Sequence, residues 1–546
     1  MKRPETSAFL ILAAWFAYDS FFFRGFIQDD AYIFARYARH IASGDGFVYN
    51  AGEYAEGATS LLWTLFAALA VKAGADVPLF LKTASLAGAV LWLCAFFLVC
   101  RQWLARPWQW LPPVALFAFY PAFSMWSQAG LEVCFFGFLL TAGFYLAEAW
   151  HREGDRKHLA GLCATAALLI LTRPEGLPVA ALYGVYLFLY PYPGKKDRVF
   201  RVYLPVAALT LAGLLAFRYS YFGDFVPNTY YAKSGGGYPL RRLGLAQLHV
   251  FLLTNLNIVF FTLCLPVLFM RRRIRLLVAV VPLWAAYYVN AGGDILPQHR
   301  LLLPAVPFML LGTFYFFERL GDGYSNPRVP QVLRAGTALA ALALVSAYRD
   351  YRDTRLLSFT GVESALERAH GGTGRYLDSH MKPGDTAILT DAGMTAYYAP
   401  GKHLVDWLGL CDKRTARILY TSGYNPWAMF YCTDPAEAER RKTACFQGMA
   451  HYFEELAPRY AVLNIILKEG SGELDEMLRF YRHLPDTLND FVTDRISFDG
   501  YFGIFTRENR AGYYRPVSLI PYNPTFWILV AERPVMKKPL EGMKGF

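Results

Sequence analysis

Charged residues are scarce in this chain, and their scarcity excludes an ordinary soluble protein. Only 18% of the 546 residues are charged, while 55% are hydrophobic; typical globular domains have about a quarter charged residues. The mean hydropathy is +0.24. The formal net charge is nevertheless +11, which in a membrane protein reflects Lys and Arg collected in cytoplasmic loops. We therefore expect a polytopic α-helical protein embedded in a lipid bilayer, with no nucleic-acid partner.

Cysteine is also rare, with eight residues in the whole chain. Most of them lie in apolar runs, where a thiol behaves as a small hydrophobe, and none has the spacing of a zinc site. The last three, Cys411, Cys432 and Cys445, would allow one disulfide if the C-terminal part lies outside the cytoplasm. The sequence does not specify which pair would form.

Long apolar runs fill residues 1–348, whereas residues 349–546 have a mixed, more charged composition. A transmembrane helix needs about 20 mainly apolar residues, which predicts about eleven spans. The run 61–73 is shorter, so we expect a re-entrant or interfacial helix there. We expect the first apolar run to be an uncleaved helix rather than a signal peptide, since many spans follow it. The predicted spans are 7–27, 79–100, 111–128, 133–150, 159–172, 177–192, 202–222, 246–270, 276–291, 300–318 and 334–348.

The basic clusters predict the orientation of these spans. With the N-terminus in the cytoplasm, every strong cluster except Arg241 and Arg242 lies on the cytoplasmic side, as the positive-inside rule requires. Counting 61–73 as a full span would move the clusters from 101 onward outside. We predict a bacterial inner-membrane protein with a cytoplasmic N-terminus and a periplasmic C-terminal part. The predicted cytoplasmic loops are 101–106, 151–158, 195–201, 271–275 and 319–334.

Six polar motifs fall together on the outer face in this topology. Ionisable groups at a membrane edge are costly to hold there and mark function by default. Because all six motifs lie on the same side of the membrane, they can contribute to one site. The motifs are Asp29-Asp30 and Glu53 with Glu56 in the first outer loop (28–78), and the stretches 130–132, 173–176, 225–233 and 292–300.

The C-terminal part, 349–546, is predicted to form a small α/β domain. Residues 374–391 are typical of a helix, a Pro-Gly turn and a buried strand, Thr386–Leu389. The stretches 460–467 and 526–530 are further strand candidates, with an aromatic-rich irregular region between them.

The outer face has the residue types that sugar transfer needs. A carboxylate must deprotonate the acceptor, stabilise charge on the sugar or attack it, and cations must hold a phosphate leaving group. Asp29 and Asp30 are the catalytic candidates. The side chains of adjacent residues point in different directions, so one aspartate can face the substrate while the other caps the helix 31–42. We prefer Asp30 as the cap and Asp29 as the free base. The candidates for donor-phosphate or substrate binding are Glu56, Glu132, Arg173, Glu175, Asn228, Tyr231, Lys233, Asp294 and Arg300.

Several of these acidic and basic candidates have a structural alternative. Both aspartates would serve as helix caps, and Glu56 would cap the short helix that begins near Ser60. Arg173 would form a local ion pair with Glu175, and Asp294 would pair with Arg300 across its loop.

Two further features of the outer face are weaker signals. Tyrosines near the interface, Tyr230 and Tyr231 among them, are assigned to an aromatic belt rather than to sugar stacking, since such belts occur widely in membrane proteins. Adjacent carboxylates are ligands that a divalent cation prefers, but two acids alone do not establish a metal site, and no cofactor is otherwise indicated.

The ordered set of sequence motifs along the chain resembles that of the GT-C membrane glycosyltransferases. The likeness is to the mycobacterial terminal arabinofuranosyltransferase B group and to bacterial relatives that glycosylate surface polymers or pilins. It rests on Asp-Asp-Ala at 29–31, Gly-Leu-Glu at 130–132, Arg-Pro-Glu-Gly at 173–176, Pro-Asn-Thr-Tyr-Tyr-Ala-Lys at 227–233, Gly-Gly-Asp at 292–294 and TDAGMTAYYAPGKHLVDWLGL at 390–410.

The resemblance implies a GT-C catalytic domain in the membrane part and a specific chemistry. The donor would be a polyprenyl-phosphate-linked sugar, arabinofuranose in the best-known member, and transfer would take place on the periplasmic side. An acidic residue of the first outer loop, here Asp29 or Asp30, would lie at the reaction centre. The C-terminal domain would help to hold a glycan or glycoprotein acceptor.

A transporter or flippase of lipid-linked sugars is the alternative function. Transporters commonly contain internal repeats and polar groups near the bilayer midplane. No repeat is visible here and the polar motifs lie mostly at span ends, which favours an enzyme. Arg24 and Arg218, in or near apolar runs, keep the transporter open. A third function, that of a glycan receptor held by a membrane anchor, needs only one span and leaves the other predicted spans unexplained.

Overall fold

The computed structural model describes residues 3–235, 237–254, 275–321, 328–425, 428, 431–466, 515–521 and 526–533. Five sequence predictions lie wholly or partly outside these residues. They are the span 246–270 from residue 255 onward, the basic cluster 271–274, part of the loop 319–334, the last residue of the strand candidate 460–467 and the aromatic-rich stretch between the predicted strands.

Helices form along the apolar runs of the first part, where continuous hydrophobic sequence and internally satisfied backbone hydrogen bonds suit a membrane. They are α1 Arg3–Phe22, α2 Asp30–Ser43, α3 Leu61–Lys72, α4 Val77–Trp103, α5 Pro107–Ala118, α6 Pro121–Trp126, α7 Val133–Glu153, α8 Arg156–Thr172 and α9 Gly176–Leu189. There follow α10 Lys196–Phe222, α11 Asn228–Ser234, α12 Gly237–Thr254, α13 Arg275–Asn290, a 3₁₀ segment Pro297–Ala305, α14 Val306–Gly321 and α15 Arg328–Arg355.

Four helices of the described chain are long and apolar enough to cross a membrane, judged by length and composition. They are Val77–Trp103, Val133–Glu153, Lys196–Phe222 and Pro297–Arg319, the last of which joins the 3₁₀ segment to α14. Three shorter apolar helices, α3, α9 and α13, accompany them. The helical character of the membrane part is as predicted, while the count of about eleven spans stays a prediction.

The predicted span 111–128 is wrong as a single helix. The chain forms α5 and α6 instead, with a break before Pro121. Proline lacks an N–H and its ring clashes with the preceding turn, so the helix ends at Ala118 and restarts with Pro121 in its first turn.

The short helix predicted at 61–73 is confirmed as α3. Ser60 caps it, since the Ser60 hydroxyl accepts a hydrogen bond from the Trp63 backbone N–H at 3.3 Å. Glu56 does not cap this helix; it binds Arg218 instead. The Trp63 indole N–H donates to the Gly130 carbonyl at 3.2 Å, which joins α3 to the turn that carries Glu132.

A mixed five-stranded sheet forms in the C-terminal part. Its strands are β1 Thr386–Leu389, β2 His403–Asp406, β3 Tyr460–Ile466, β4 Arg515–Pro521 and β5 Phe526–Glu532, in the spatial order β2-β1-β3-β5-β4. β1 pairs in parallel with β2 and β3, while β5 is antiparallel to β3 and β4. The three predicted strands are confirmed. The main helices around the sheet are α16 Gly372–His380, α17 Met394–Tyr397, α18 Lys413–Ser422 and α19 Pro435–Leu456.

The largest hydrophobic core is continuous across the predicted domain boundary at 348/349. It contains membrane-part residues such as Trp126 together with Leu389, Met394 and Leu404 from the sheet region. The helix α15 also runs through residue 348 without interruption. The division into two domains stays a prediction, but the two parts share one core.

No disulfide forms among Cys411, Cys432 and Cys445, which are all free thiols. Packing explains the difference from the sequence expectation. Cys411 is buried in the large core, whereas Cys445 is buried in a second core behind the sheet. The two buried thiols therefore belong to separate packing environments.

Candidate active site

The paired aspartates of the first outer loop have different surroundings. Asp29 precedes α2 and its side chain accepts backbone hydrogen bonds from Gly393 at 2.9 Å and from Met394 at 2.8 Å. It therefore caps the start of α17 rather than α2. Asp30 is the first residue of α2, and its carboxylate has no ion pair or side-chain hydrogen bond within the described ranges. The preference for Asp30 as the cap is wrong, and the geometry makes Asp30 the freer carboxylate.

Burial changes the proton affinity of Asp29. It raises the pKa of Asp29 from 3.8 to about 6; the His370 charge opposes that rise, and the Asp391 charge adds to it. Desolvation is expensive for a carboxylate, and the two backbone donors offset only part of the cost. Asp29 is thus a half-buried acid whose position is fixed by two backbone N–H groups.

Gly393 allows this close approach. A Cβ atom at residue 393 would lie 2.1 Å from the Asp29 backbone oxygen and 2.3 Å from Asp29 Oδ2. Only a residue without a side chain fits there, which gives a physical role to the glycine of the TDAGM motif.

Arg36 is a second junction between α2 and the sheet region, and sequence reasoning missed it. Its guanidinium is buried and donates to the carbonyls of Tyr49 at 2.8 Å, Lys402 at 2.9 Å and Ala399 at 3.2 Å. Asn50 supports the same junction, since its side-chain amide donates to the Leu404 carbonyl at 2.9 Å. An arginine between the apolar positions of an amphipathic helix is the signal that would have identified this residue.

Glu132, Arg173 and Glu175 form one buried ion-pair network. Arg173 contacts Glu132 at 2.5 Å and Glu175 at 2.8 Å, and the Tyr287 hydroxyl also donates to Glu175. Burial alone would raise the pKa of Glu175, but the charge and hydrogen bonds of Arg173 hold it below its usual value. The predicted local pair is present, with Glu132 as an additional partner.

Asp294 and Arg300 form the second predicted local pair, at 3.3 Å. Backbone N–H groups of Leu296 and Leu301 also donate to Asp294, at 3.1 and 2.9 Å. The Arg300 guanidinium lies 5.5 Å from the centre of the Trp126 ring. Arg300 is therefore held in place from two sides.

Lys233 is the cation of this region without a counter-ion contact. Among the described residues its ammonium has no ion pair. It interacts electrostatically with four charged residues: Asp30, Arg300, Asp294 and Arg173. Desolvation by the surrounding protein lowers the pKa of Lys233, and Asp30 opposes that effect. The side chain nevertheless stays exposed. We call Asp30, Arg173, Lys233, Asp294 and Arg300 the charge cluster.

Asn228 anchors the helix that carries Lys233. Its side-chain amide donates to the carbonyls of Gly409 at 2.8 Å and of Leu410 and Asp412 at 3.1 Å. Its backbone N–H donates to the Glu56 carbonyl at 3.1 Å. Asn228 thus fixes α11 between the first outer loop and the sheet region.

The remaining site candidates are held by other partners. Glu56 forms a two-point pair with Arg218, whose Nε lies 2.8 Å from Oε2 and whose Nη2 lies 2.9 Å from Oε1. Tyr231 donates to Asp224 at 3.3 Å. Their roles in substrate binding stay predictions. No group of three or more His, Cys, Asp or Glu side chains that could hold a metal ion occurs in the described part of the chain.

The chain is similar to known proteins in sequence and in fold. A family model described as "Domain of unknown function (DUF8728)" matches residues 360–508. The terminal beta-(1->2)-arabinofuranosyltransferase of Mycobacterium tuberculosis is 27% identical over 256 residues, covering 43% of this chain. The chain spans 38% of the length of that relative.

The fold has a solved counterpart over almost its full length. The crystal structure of ArnT from Cupriavidus metallidurans bound to undecaprenyl phosphate aligns with a TM-score of 0.51, at 12% identity, over 97% of this chain and 98% of that chain. These likenesses confirm the predicted resemblance to the GT-C membrane glycosyltransferases, by sequence over part of the chain and by fold over nearly all of it.

Proposed function

We propose that this chain is a glycosyltransferase that moves a sugar from a polyprenyl-phosphate donor to a glycan or glycoprotein acceptor on the periplasmic side of the inner membrane. The observation that carries the proposal is the charge cluster, in which Asp30 and Lys233, neither of them in an ion pair among the described residues, interact electrostatically. A phosphate and a reacting hydroxyl need these two groups. The ArnT that shares the fold was crystallised with undecaprenyl phosphate.

The cations of the cluster have different capacities for a phosphate. Arg173 and Arg300 already neutralise carboxylates, so an arriving phosphate must share them. Lys233 brings an uncompensated positive charge and three donors. We assign the main phosphate contact to Lys233, with Arg300 and Arg173 in support.

Asp30 then acts on the acceptor. The acceptor oxygen attacks the anomeric carbon, the bond from that carbon to the donor phosphate oxygen breaks, and the phosphate leaves with the bonding electron pair. Asp30 accepts the proton of the attacking hydroxyl. Asp29, held by two backbone N–H groups, positions the start of α2 and so the Asp30 carboxylate.

Purified protein in lipid nanodiscs, supplied with radiolabelled polyprenyl-phospho-sugars and bacterial surface glycans, tests the proposal. Arabinofuranose is the first donor sugar to test, given the name of the sequence relative. We expect Asp30→Asn to lower the transfer rate at least about a hundredfold, as for loss of a general base. Asp45→Asn, an exposed aspartate of the same loop, is the matched control and should retain the wild-type rate.

Two outcomes would contradict this function. Full activity of Asp30→Asn would remove the proposed base. Movement of labelled lipid across the bilayer without any glycosylated product would favour the transporter instead. Arg218 no longer supports that alternative, since its charge is neutralised by Glu56.

A further inference from the structure

Two tyrosines lie side by side on the surface next to the charge cluster. Tyr230 of α11 and Tyr420 of α18 are 48% and 41% exposed. Their ring centres are 6.3 Å apart, with 40° between the ring planes. Adjacent exposed aromatic rings are an unusual feature of a protein surface and mark a binding site more often than scattered apolar residues do.

The pair is held rigidly from below. Tyr231 contacts the Tyr420 ring edge to face, with centres 5.4 Å apart, and the Arg417 guanidinium lies 3.4 Å from the centre of the Tyr231 ring. Asp224 binds both Arg417 and the Tyr231 hydroxyl. Since these groups are ordered before a ligand binds, stacking on the pair has only a small entropic cost.

The contact between the two helices is equally tight. A Cβ atom at Gly235 would lie 2.8 Å from the Leu419 carbonyl oxygen. The end of α11 is therefore packed directly against the end of α18. We call the Tyr230 and Tyr420 rings, in this fixed arrangement, the aromatic platform.

The platform is one helical turn from the reaction centre. Tyr230 and Lys233 are three residues apart in α11, a spacing that puts two side chains on the same helix face with Cβ atoms about 5–6 Å apart. Lys233 in turn interacts electrostatically with Asp30. A chain of sugar rings that stacks on the platform would therefore lead towards the carboxylate.

An aromatic belt at the bilayer surface does not account for both rings. Tyr420 belongs to α18, a helix of the sheet region that follows β2 and contains Arg414 and Arg417, both with exposed side chains. Such a helix is not an apolar span whose ends would carry belt residues.

We propose that the aromatic platform binds the acceptor glycan, through the C–H faces of one or two sugar rings next to the ring that receives the new sugar. This inference rests on the proposed function and names its acceptor subsite. A neutral sugar suits these rings, because the platform itself carries no charge while the anionic donor is attracted to Lys233. This proposal gives Tyr230 a role other than the aromatic belt to which the sequence analysis assigned it.

Glycan binding without any donor tests the platform separately from catalysis. The full-length protein in nanodiscs is titrated with four soluble hexasaccharides, of arabinofuranose, mannose, galactose and glucose, and followed by saturation-transfer NMR. For the hexasaccharide that wild type binds best, we expect Tyr230→Ala with Tyr420→Ala to bind about tenfold more weakly. The corresponding double Phe variant should keep the affinity within about threefold, since the rings remain.

Controls separate a lost platform from a damaged protein. Tyr238→Ala, which removes a 65% exposed tyrosine of α12, should bind the glycan like wild type. The double Ala variant should still bind undecaprenyl phosphate. If wild type binds none of the four hexasaccharides, or if the double Ala variant binds them equally well, the platform is not an acceptor subsite. Quenching of Tyr230→Trp fluorescence by spin-labelled lipid headgroups would assign the rings to the bilayer and overturn the proposal.

Discussion

Asp29 and Asp30 are neighbours in the chain, yet their carboxylates face different chemical environments. Both oxygens of Asp29 accept hydrogen bonds from backbone N–H groups of the sheet region, whereas Asp30 has no such bond among the described residues and interacts electrostatically with Lys233. Asp29 already has helical dihedral angles, so the two neighbouring side chains point about 100° apart around the helix axis. One aspartate is therefore suited to positioning and the other to contact with substrate.

The pH dependence of stability should report the buried Asp29. Its pKa is raised by burial from 3.8 to about 6, with His370 opposing and Asp391 adding to the rise. The folded protein binds this proton more tightly than the unfolded chain does. Asp29 therefore contributes stability that is complete below about pH 3.8 and is lost as the pH rises through about 6. Between these limits the change is up to about 3 kcal/mol.

Denaturation of wild type and Asp29→Asn between pH 4 and pH 8 measures this contribution. Wild type should lose unfolding free energy relative to Asp29→Asn as the pH rises to about 6, because the variant lacks the titrating group. Asp45→Asn is the control: hydrogen bonds from Ser43 and His40 lower the pKa of Asp45, so it has no transition near pH 6. A difference that stays constant from pH 5 to pH 7 would contradict the assignment.

Lys233 should dominate the affinity for the lipid phosphate. We expect Lys233→Met to weaken binding of undecaprenyl phosphate at least about tenfold, since a charge-assisted contact is lost, while Lys233→Arg retains most of the affinity. Native mass spectrometry or a fluorescent lipid analogue measures this. Arg241→Met is the control, because Arg241 is exposed and lies outside the charge cluster; a larger effect of Arg241→Met than of Lys233→Met would move the phosphate site.

At the scale of elements, α2 and the segment 390–410 act as one unit. Asp29, Arg36 and Asn50 bind the backbone of that segment at separate points along its length. The Tyr49 hydroxyl adds a hydrogen bond to the Ala392 carbonyl at 2.7 Å. The first outer loop is thus held by side chains that recognise backbone groups, and the segment 390–410 has a positioning role for the candidate active site.

Gly393→Ala should disturb this unit without removing any polar group. The added Cβ would meet Asp29 at 2.1 Å, so either α2 or α17 must shift. We expect a loss of about 1–3 kcal/mol of unfolding free energy and a lower transfer rate at saturating donor. Gly361→Ala is the matched control, since no atom lies within 4 Å of its added Cβ. Wild-type activity of Gly393→Ala would show that the contact with Asp29 does not position Asp30.

Local patterns predicted the elements well and their partners poorly. Apolar runs predicted the helix positions, and the strand Thr386–Leu389 is as expected, because both follow from short stretches of sequence. The pair Arg173 with Glu175 was within reach for the same reason. Glu132 as a partner of Arg173, 41 residues away, and Gly393 as a partner of Asp29, 364 residues away, depend on how helices pack, which one sequence does not specify.

At the scale of the whole molecule, the sheet region completes the core of the helical part. Tyr32 of α2 packs against Tyr397 of α17, with ring centres 5.3 Å apart. Leu389, Met394, Leu404 and Cys411 are buried in the same core as the membrane-part helices. Composition predicted a domain boundary at 348/349, since the proportion of charged residues rises there. The hydrophobic core nevertheless includes residues from both sides of that boundary.

A chain ending at residue 356 should therefore fail to form a folded membrane protein. Truncation would remove the carbonyls of Ala399 and Lys402 that Arg36 binds and would expose the sheet-facing side of α2, including Tyr32, which is buried in the full chain. Apolar surface exposed to water costs about 25 cal/mol per Å². We expect aggregation on size-exclusion chromatography in detergent and rapid trypsin cleavage of the first outer loop, in contrast to the full chain. If the truncated protein is instead monodisperse and binds undecaprenyl phosphate, then the helical part folds by itself, and the shared core is a docking contact between two independent domains.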